Sequence, residues 1–198
     1  MVSPLPSLAS SGLNLAMARP GFERLPPATE RDQAAAARRL LASLPSSGHQ
    51  GFNRDFLRQG GMQIAFLSCD GADPADLDRL FAALRAAGVT TLLGTAVAPG
   101  AAPTAVWHFP ADVALYDAFT ADHREPALAW SPDGAVSMLT DGEDIRTIAA
   151  PPALLAAALD GRARTLREAL AREVGPGAAV AYAEMLDHYA GLVFDPSP

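Results

Sequence analysis

Four histidines, His49, His108, His123 and His188, are the residues best suited to acid–base or metal chemistry in this chain. No two stand at the HxH or HExxH spacing that brings two imidazoles to one ion. Neither a metal nor a cofactor is expected. His108 lies in Thr104–Phe109, TAVWHF, whose alternation predicts a strand with Ala105, Trp107 and Phe109 on one face. Val106 and His108 then share the other face. If helices cover the aromatic side, His108 stands on an open sheet face, where a ligand or partner can meet it. Asp122-His123-Arg124-Glu125 places four polar groups at a predicted helix end, where His and Arg complement the helix dipole. Acid–base work by His123 and Asp122 needs a further group supplied by the fold. His108, His123 and Asp122 are therefore the candidate catalytic residues. His188 follows Asp187 directly in a helical stretch, and such neighbours do not face each other.

Other groupings carry less chemistry. Asp70, Asp73, Asp76 and Asp78 crowd one strand–helix turn, but the calcium-loop pattern is absent and capping accounts for at least two of them. Gly175-Pro176-Gly177 precedes a helix without the third glycine or the preceding strand of a dinucleotide site. No GxSxG occurs, so a nucleophile elbow is excluded by motif. All 15 basic side chains are arginine. A chain without lysine has no P-loop lysine, no Schiff base and no protein-kinase signature. Cys69 is the single cysteine, which excludes internal disulfides and CxxC redox chemistry and points to a reducing, cytoplasmic setting.

Composition and charge bound the rest. The chain has 198 residues, 49% hydrophobic, enough for one domain with a sizeable core. Alanine occurs 42 times, isoleucine three times and asparagine twice, which fits a GC-rich bacterial genome and explains the missing lysine by codon usage. Through residue 60 there are seven arginines against four acids, and beyond it eight against eighteen. Such an acidic body repels phosphate backbones, so no nucleic acid is expected as partner. A weakly basic arm, with Arg19 and Arg24, and an acidic stretch, with Asp141, Glu143 and Asp144, are the candidate partner-binding residues. No apolar run is long enough for a membrane span. The proline-interrupted first 20 residues lack a basic leader, so they read as a flexible arm or a non-Sec export signal rather than a cleaved signal peptide.

These residues must be placed by a mixed α+β framework. Residues 1–27 are expected as a flexible arm and 28–61 as a helix and linker. Residues 62–198 are expected as a single α+β domain, helical from 151 to 190. Thr29 with Asp32 resembles a capping box opening the first helix. The linker carries an apolar island, Phe52, Phe56 and Leu57, suited to a short helical turn. Met62–Leu67 reads as a buried strand. Asp73, Pro74 and Asp76 then open a helix with Leu77, Leu80, Phe81 and Leu84 on one face. Val89–Val97 and Thr104–Phe109 follow as strands, and a helix capped by Asp112 carries Val113, Tyr116 and Phe119. Leu128–Trp130 and Ala135–Leu139 flank the turn SPDG, with Ile145–Ile148 as a possible further strand. From 62 to about 148 the order β-α-β-β-α-β, with a strand or two added, predicts a ferredoxin-like antiparallel sheet with helices on one face. A second capping box, Thr165 with Glu168, is expected in the helical C-terminal part, and LVFDP as a short terminal strand.

The function expected from this reading is non-catalytic protein–protein interaction, as in an accessory, immunity-like or secreted protein of a GC-rich bacterium. The alternative is a small enzyme or small-molecule-binding regulator using His108 or His123 on the open sheet face.

Overall fold

The computed structural model describes residues 19–43, 50–68, 74–97, 105–121, 126–140, 145–173 and 176–195. Its centre is a seven-stranded antiparallel sheet, and the expected α+β class holds. In chain order the elements are β1 (Glu23–Arg24), α1 (Pro27–Leu40), β2 (Leu41–Ser43), β3 (Gln50–Phe52) and α2 (Arg54–Gln59). Then come β4 (Gln63–Ser68), α3 (Pro74–Ala86), β5 (Thr91–Ala96), β6 (Trp107–Pro110), α4 (Val113–Ala121), β7 (Ala127–Trp130), β8 (Ser137–Thr140) and β9 (Ile145–Ala150). Three helices close the chain: α5 (Pro152–Leu159), α6 (Ala163–Glu173) and α7 (Pro176–His188).

The strand order is β1-β6-β5-β7-β8-β9-β4, with β2 and β3 forming a separate pair. The ferredoxin-like wiring is thus not realised. That arrangement sets the first strand beside the third at the sheet's centre, whereas β4 lies at an edge with β9 as its neighbouring strand. The reason lies in β9, six residues long and buried at five of them. It offers β4 a full-length partner, from Gln63 opposite Ala150 to Ser68 opposite Ile145. Counting antiparallel steps makes β4 parallel to β5, with β9, β8 and β7 between them. By the same count β6 is parallel to β7 with β5 between them, so both helical crossovers, α3 and α4, straddle other strands.

Strand composition explains the layering. All four residues of β7 and all four of β8 are buried. Burial on both faces needs a helical layer on each. One layer sets Leu77, Leu80, Phe81 and Leu84 of α3, Tyr116 and Phe119 of α4 and Leu155 of α5 against Leu67, Leu92, Phe109 and Met138. The other sets Ala34, Ala37 and Leu40 of α1, Leu57 of α2 and Tyr182 of α7 against Ile64, Phe66, Leu93, Leu128 and Leu139. Helix α6 contributes Ala163 to the first cluster and Leu170 to the second. The expected open sheet face is therefore absent, and both faces are covered.

Some of the local sequence signals are used in the fold and others are not. Pro74 and Asp76 open α3, and Gly88 follows it at φ +86°, a conformation glycine adopts without strain. Leu115 N–H donates to Asp112 Oδ1 at 3.2 Å, the expected cap of α4. In the SPDG turn, Ser131 Oγ donates to Asp133 Oδ1 and Ala135 N–H to the same oxygen. These bonds hold the Asp133 carboxyl below its ordinary range. The Thr29 capping box is not used. Helix α1 starts at Pro27 after Pro26, with no side-chain cap, because a proline at the first position fixes φ and needs no N–H partner. Thr165 likewise falls inside α6, which begins at Ala163.

Of the expected N-terminal arm, residues 1–18 lie outside the described residues, while 22–25 are joined to the sheet. Phe22 packs on Phe109 with ring centroids 5.1 Å apart, Glu23 and Arg24 pair with β6, and Leu25 N–H donates to Val106 C=O at 3.0 Å. The expected linker likewise contributes Phe52 and Leu57, both fully buried.

Candidate functional site

His108 occupies the predicted face of β6, opposite Phe109, but that face is the one α1 and its neighbours cover. Its imidazole remains about one-third exposed at the sheet's edge. The nearest charged group is Glu23 across the β1–β6 pair, with Oε2 4.0 Å from Nδ1, beyond hydrogen-bonding distance. Arg24, beside it on β1, pairs with Glu30 in the first turn of α1 at 3.3 Å. Arg19 is exposed ahead of β1. The structure therefore brings His108, Glu23 and Arg24 to one edge. Asp122, His123, Asp141, Glu143 and Asp144 lie outside the described residues.

The richer grouping of charge lies at one end of the sheet. The C-terminal ends of β4, β5 and β8 lie there with the N-terminal ends of β6, β7 and β9. Helix α3 begins at this end. Its first-turn residue Asp76 is almost fully buried. Asp76 Oδ1 accepts from Arg79 Nη2 at 2.9 Å and from Arg162 Nη1 at 2.5 Å, while Oδ2 is buried without a partner. Taking a carboxylate out of water is costly, and two guanidiniums offset that cost. The pair to Arg162 joins α3 to the segment between α5 and α6, 86 residues away.

Close to the same end, Arg146 of β9 is buried and its guanidinium lies 5.1 Å from the centroid of the Tyr116 ring. This is a cation over an aromatic face, favoured by the ring quadrupole. Asp117, next on α4, has its carboxyl raised above the usual range. Burial is the largest cause, the Arg146 charge opposes it and the Asp78 charge adds to it. The sequence places Asp76 in a helix's first turn and Tyr116 on the next helix, but shows neither the arginine partners of Asp76 nor the pairing of Arg146 with Tyr116. An arginine at the head of the apolar run IRTIAA was the available signal, since a charge entering a buried strand demands compensation.

Among the described residues, no group of three His, Cys, Asp or Glu side chains is placed to hold a metal ion. Also among them, no helix is long and apolar enough to cross a membrane. No protein-family model matches the chain, and no curated protein or solved structure is significantly similar to it.

Proposed function

We propose that this protein is a non-catalytic protein-interaction module that receives a basic partner surface at the sheet end where β4 and β5 finish. The observation that carries the reading is topological. The connections 69–73, 98–104, 122–125 and 141–144 all start and finish on strand or helix ends at that one end of the sheet. Their sequences hold seven acids and one arginine. The connections at the opposite end, 87–90, 111–112 and 131–136, hold two acids. A charge imbalance of this kind steers an oppositely charged partner and sets the rate of encounter. The single cysteine fits a cytoplasmic setting, and the composition fits a GC-rich bacterial source.

The test uses an octa-arginine peptide as a defined basic probe. Replacing Asp141, Glu143 and Asp144 together by Asn, Gln and Asn is expected to slow association about tenfold at low salt, with the difference shrinking as salt rises. A control that neutralises three exposed acids elsewhere, Asp32→Asn, Glu173→Gln and Asp187→Asn, keeps the same net charge. Equal losses in both triple variants would refute a localised acidic docking end.

A further inference from the structure

Where Arg162 meets Asp76, the start of α6 gathers positive charge. Helix N-termini favour carboxylates, yet the first turn of α6 holds no acid. Arg162, Arg164 and Arg167 fall within six residues there. Arg162 is turned to Asp76. Arg164 and Arg167, three apart on one helical face, both reach Asp195. Arg164 Nη2 is 3.6 Å from Asp195 Oδ1, and Arg167 Nη2 is 3.3 Å from Oδ2. Close charge-assisted bonds run nearer 2.7–2.9 Å, so this half-exposed carboxylate fills the space between the arginines loosely. It is delivered by the segment after α7, which is tied to β4. Ile64 N–H donates to Leu192 C=O at 2.8 Å, and Phe194 N–H donates to Ile64 C=O at 2.7 Å.

A second observation lies in α7. Tyr182 is about nineteen-twentieths buried, its ring edge-on to Phe66, and its hydroxyl has no hydrogen-bond partner. Buried hydroxyls are normally satisfied. Burial pushes its pKa up to about 12, and the nearby Arg167 charge acts against that rise. The phenol is therefore a protonated donor, buried without an acceptor and within the electrostatic reach of Arg167.

We propose that Arg164, Arg167 and the Tyr182 hydroxyl form a binding site for a phosphate monoester or inorganic phosphate, which Asp195 occupies in cis while no ligand is bound. A carboxylate offers two oxygens and one charge, spent here on one long contact to each arginine. A phosphate adds a third acceptor oxygen and a second negative charge, enough to take both guanidiniums and the phenol together. Release of the Asp195 side chain leaves Phe194 anchored in the core.

Calorimetric titration of the full chain with inorganic phosphate and with O-phosphoserine tests this, using sulfate at matched ionic strength as the comparison. If the cis carboxylate fills the site about nine-tenths of the time, Asp195→Asn binds phosphate about tenfold more tightly than the unaltered chain. Arg164→Gln with Arg167→Gln, added to Asp195→Asn, removes binding. Tyr182→Phe in the same background weakens it several-fold while thermal unfolding stays cooperative. Binding of both probes supports a phosphorylated side chain as ligand, and binding of inorganic phosphate alone supports free phosphate. Absence of phosphate binding by Asp195→Asn, or binding unchanged by loss of both arginines, overturns the site. Equal affinity in the presence and absence of the Asp195 carboxylate overturns its occupancy in cis.

Discussion

At the scale of single residues, the tightest constraint falls on a glycine. A Cβ built on Gly94 of β5 would lie 2.7 Å from Phe119 Cζ and 2.9 Å from Phe109 Cε1. Those rings stack with centroids 5.2 Å apart, both in the core beneath α4. Gly94→Ala must push this pair aside, and overpacking of that kind costs about 1–3 kcal/mol. Urea unfolding of the variant measures it, and a loss under about 0.5 kcal/mol would mean that the rings yield freely. What the sequence revealed at this scale was orientation. Alternation through TAVWHF set Phe109 and His108 on opposite faces, as found. It could not reveal that the His108 face is roofed by helices, because that roof is built partly from residues 27–59, whose destination no local pattern specifies. Asp76 shows the same limit. Its position in α3 was legible, while its partner Arg162 is brought to it only by the finished fold.

Among the elements, α3 was the most legible because cap, periodicity and glycine stop agreed, and Leu80, Phe81 and Leu84 are all fully buried. Strand pairing was least legible. The element order expected from 62 to about 148 is the one found, yet the same order accommodates β4 at the centre or at the edge, and a long, buried β9 favours the edge. The end of α7 carries its own prediction. His188 Nε2 and Arg54 Nε are both buried without partners, and Arg54 Nη2 lies 3.5 Å from Ala190 C=O. Next to them, Tyr189 O–H donates to Phe52 C=O at 2.9 Å, tying α7 to β3. Burial, and then the Arg54 charge, hold the His188 pKa below its ordinary 6.5. The unfolded chain therefore takes up a proton at this position at a higher pH than the folded chain does. Stability contributed here is present above about pH 6.5 and is lost as pH falls toward the lowered folded-state value. Urea midpoints for the unaltered chain and His188→Gln should diverge between about pH 7.5 and 5, with the unaltered chain losing more. Parallel loss in both proteins would place the pH dependence elsewhere.

Over the whole molecule, the two ends of the described chain perform one task. A sheet edge with unpaired N–H and C=O groups invites pairing with another chain. On the β4 edge, Ile64 is bonded to Leu192 and Phe194, and Val193 makes a parallel bridge to Ile64. On the β6 edge, the two-residue β1 and the Leu25 bond cover Trp107, His108 and Val106. The outer strand then presents Glu23 and Arg24, charges that discourage a further strand. Two truncations separate this role from a dispensable arm. Removal of residues 1–18 leaves every described contact in place and should barely move the melting midpoint. Removal of 1–26 uncovers β6 and loses the Phe22–Phe109 contact, a cost of roughly 1 kcal/mol for one partly buried aromatic side chain. Sedimentation velocity over a concentration series should then show self-association for the longer truncation and not for the shorter one. If the chain lacking 1–26 stays monomeric and unfolds at an unchanged midpoint, β1 is an ornament of the sheet and the edge is protected by the shortness of β6 itself.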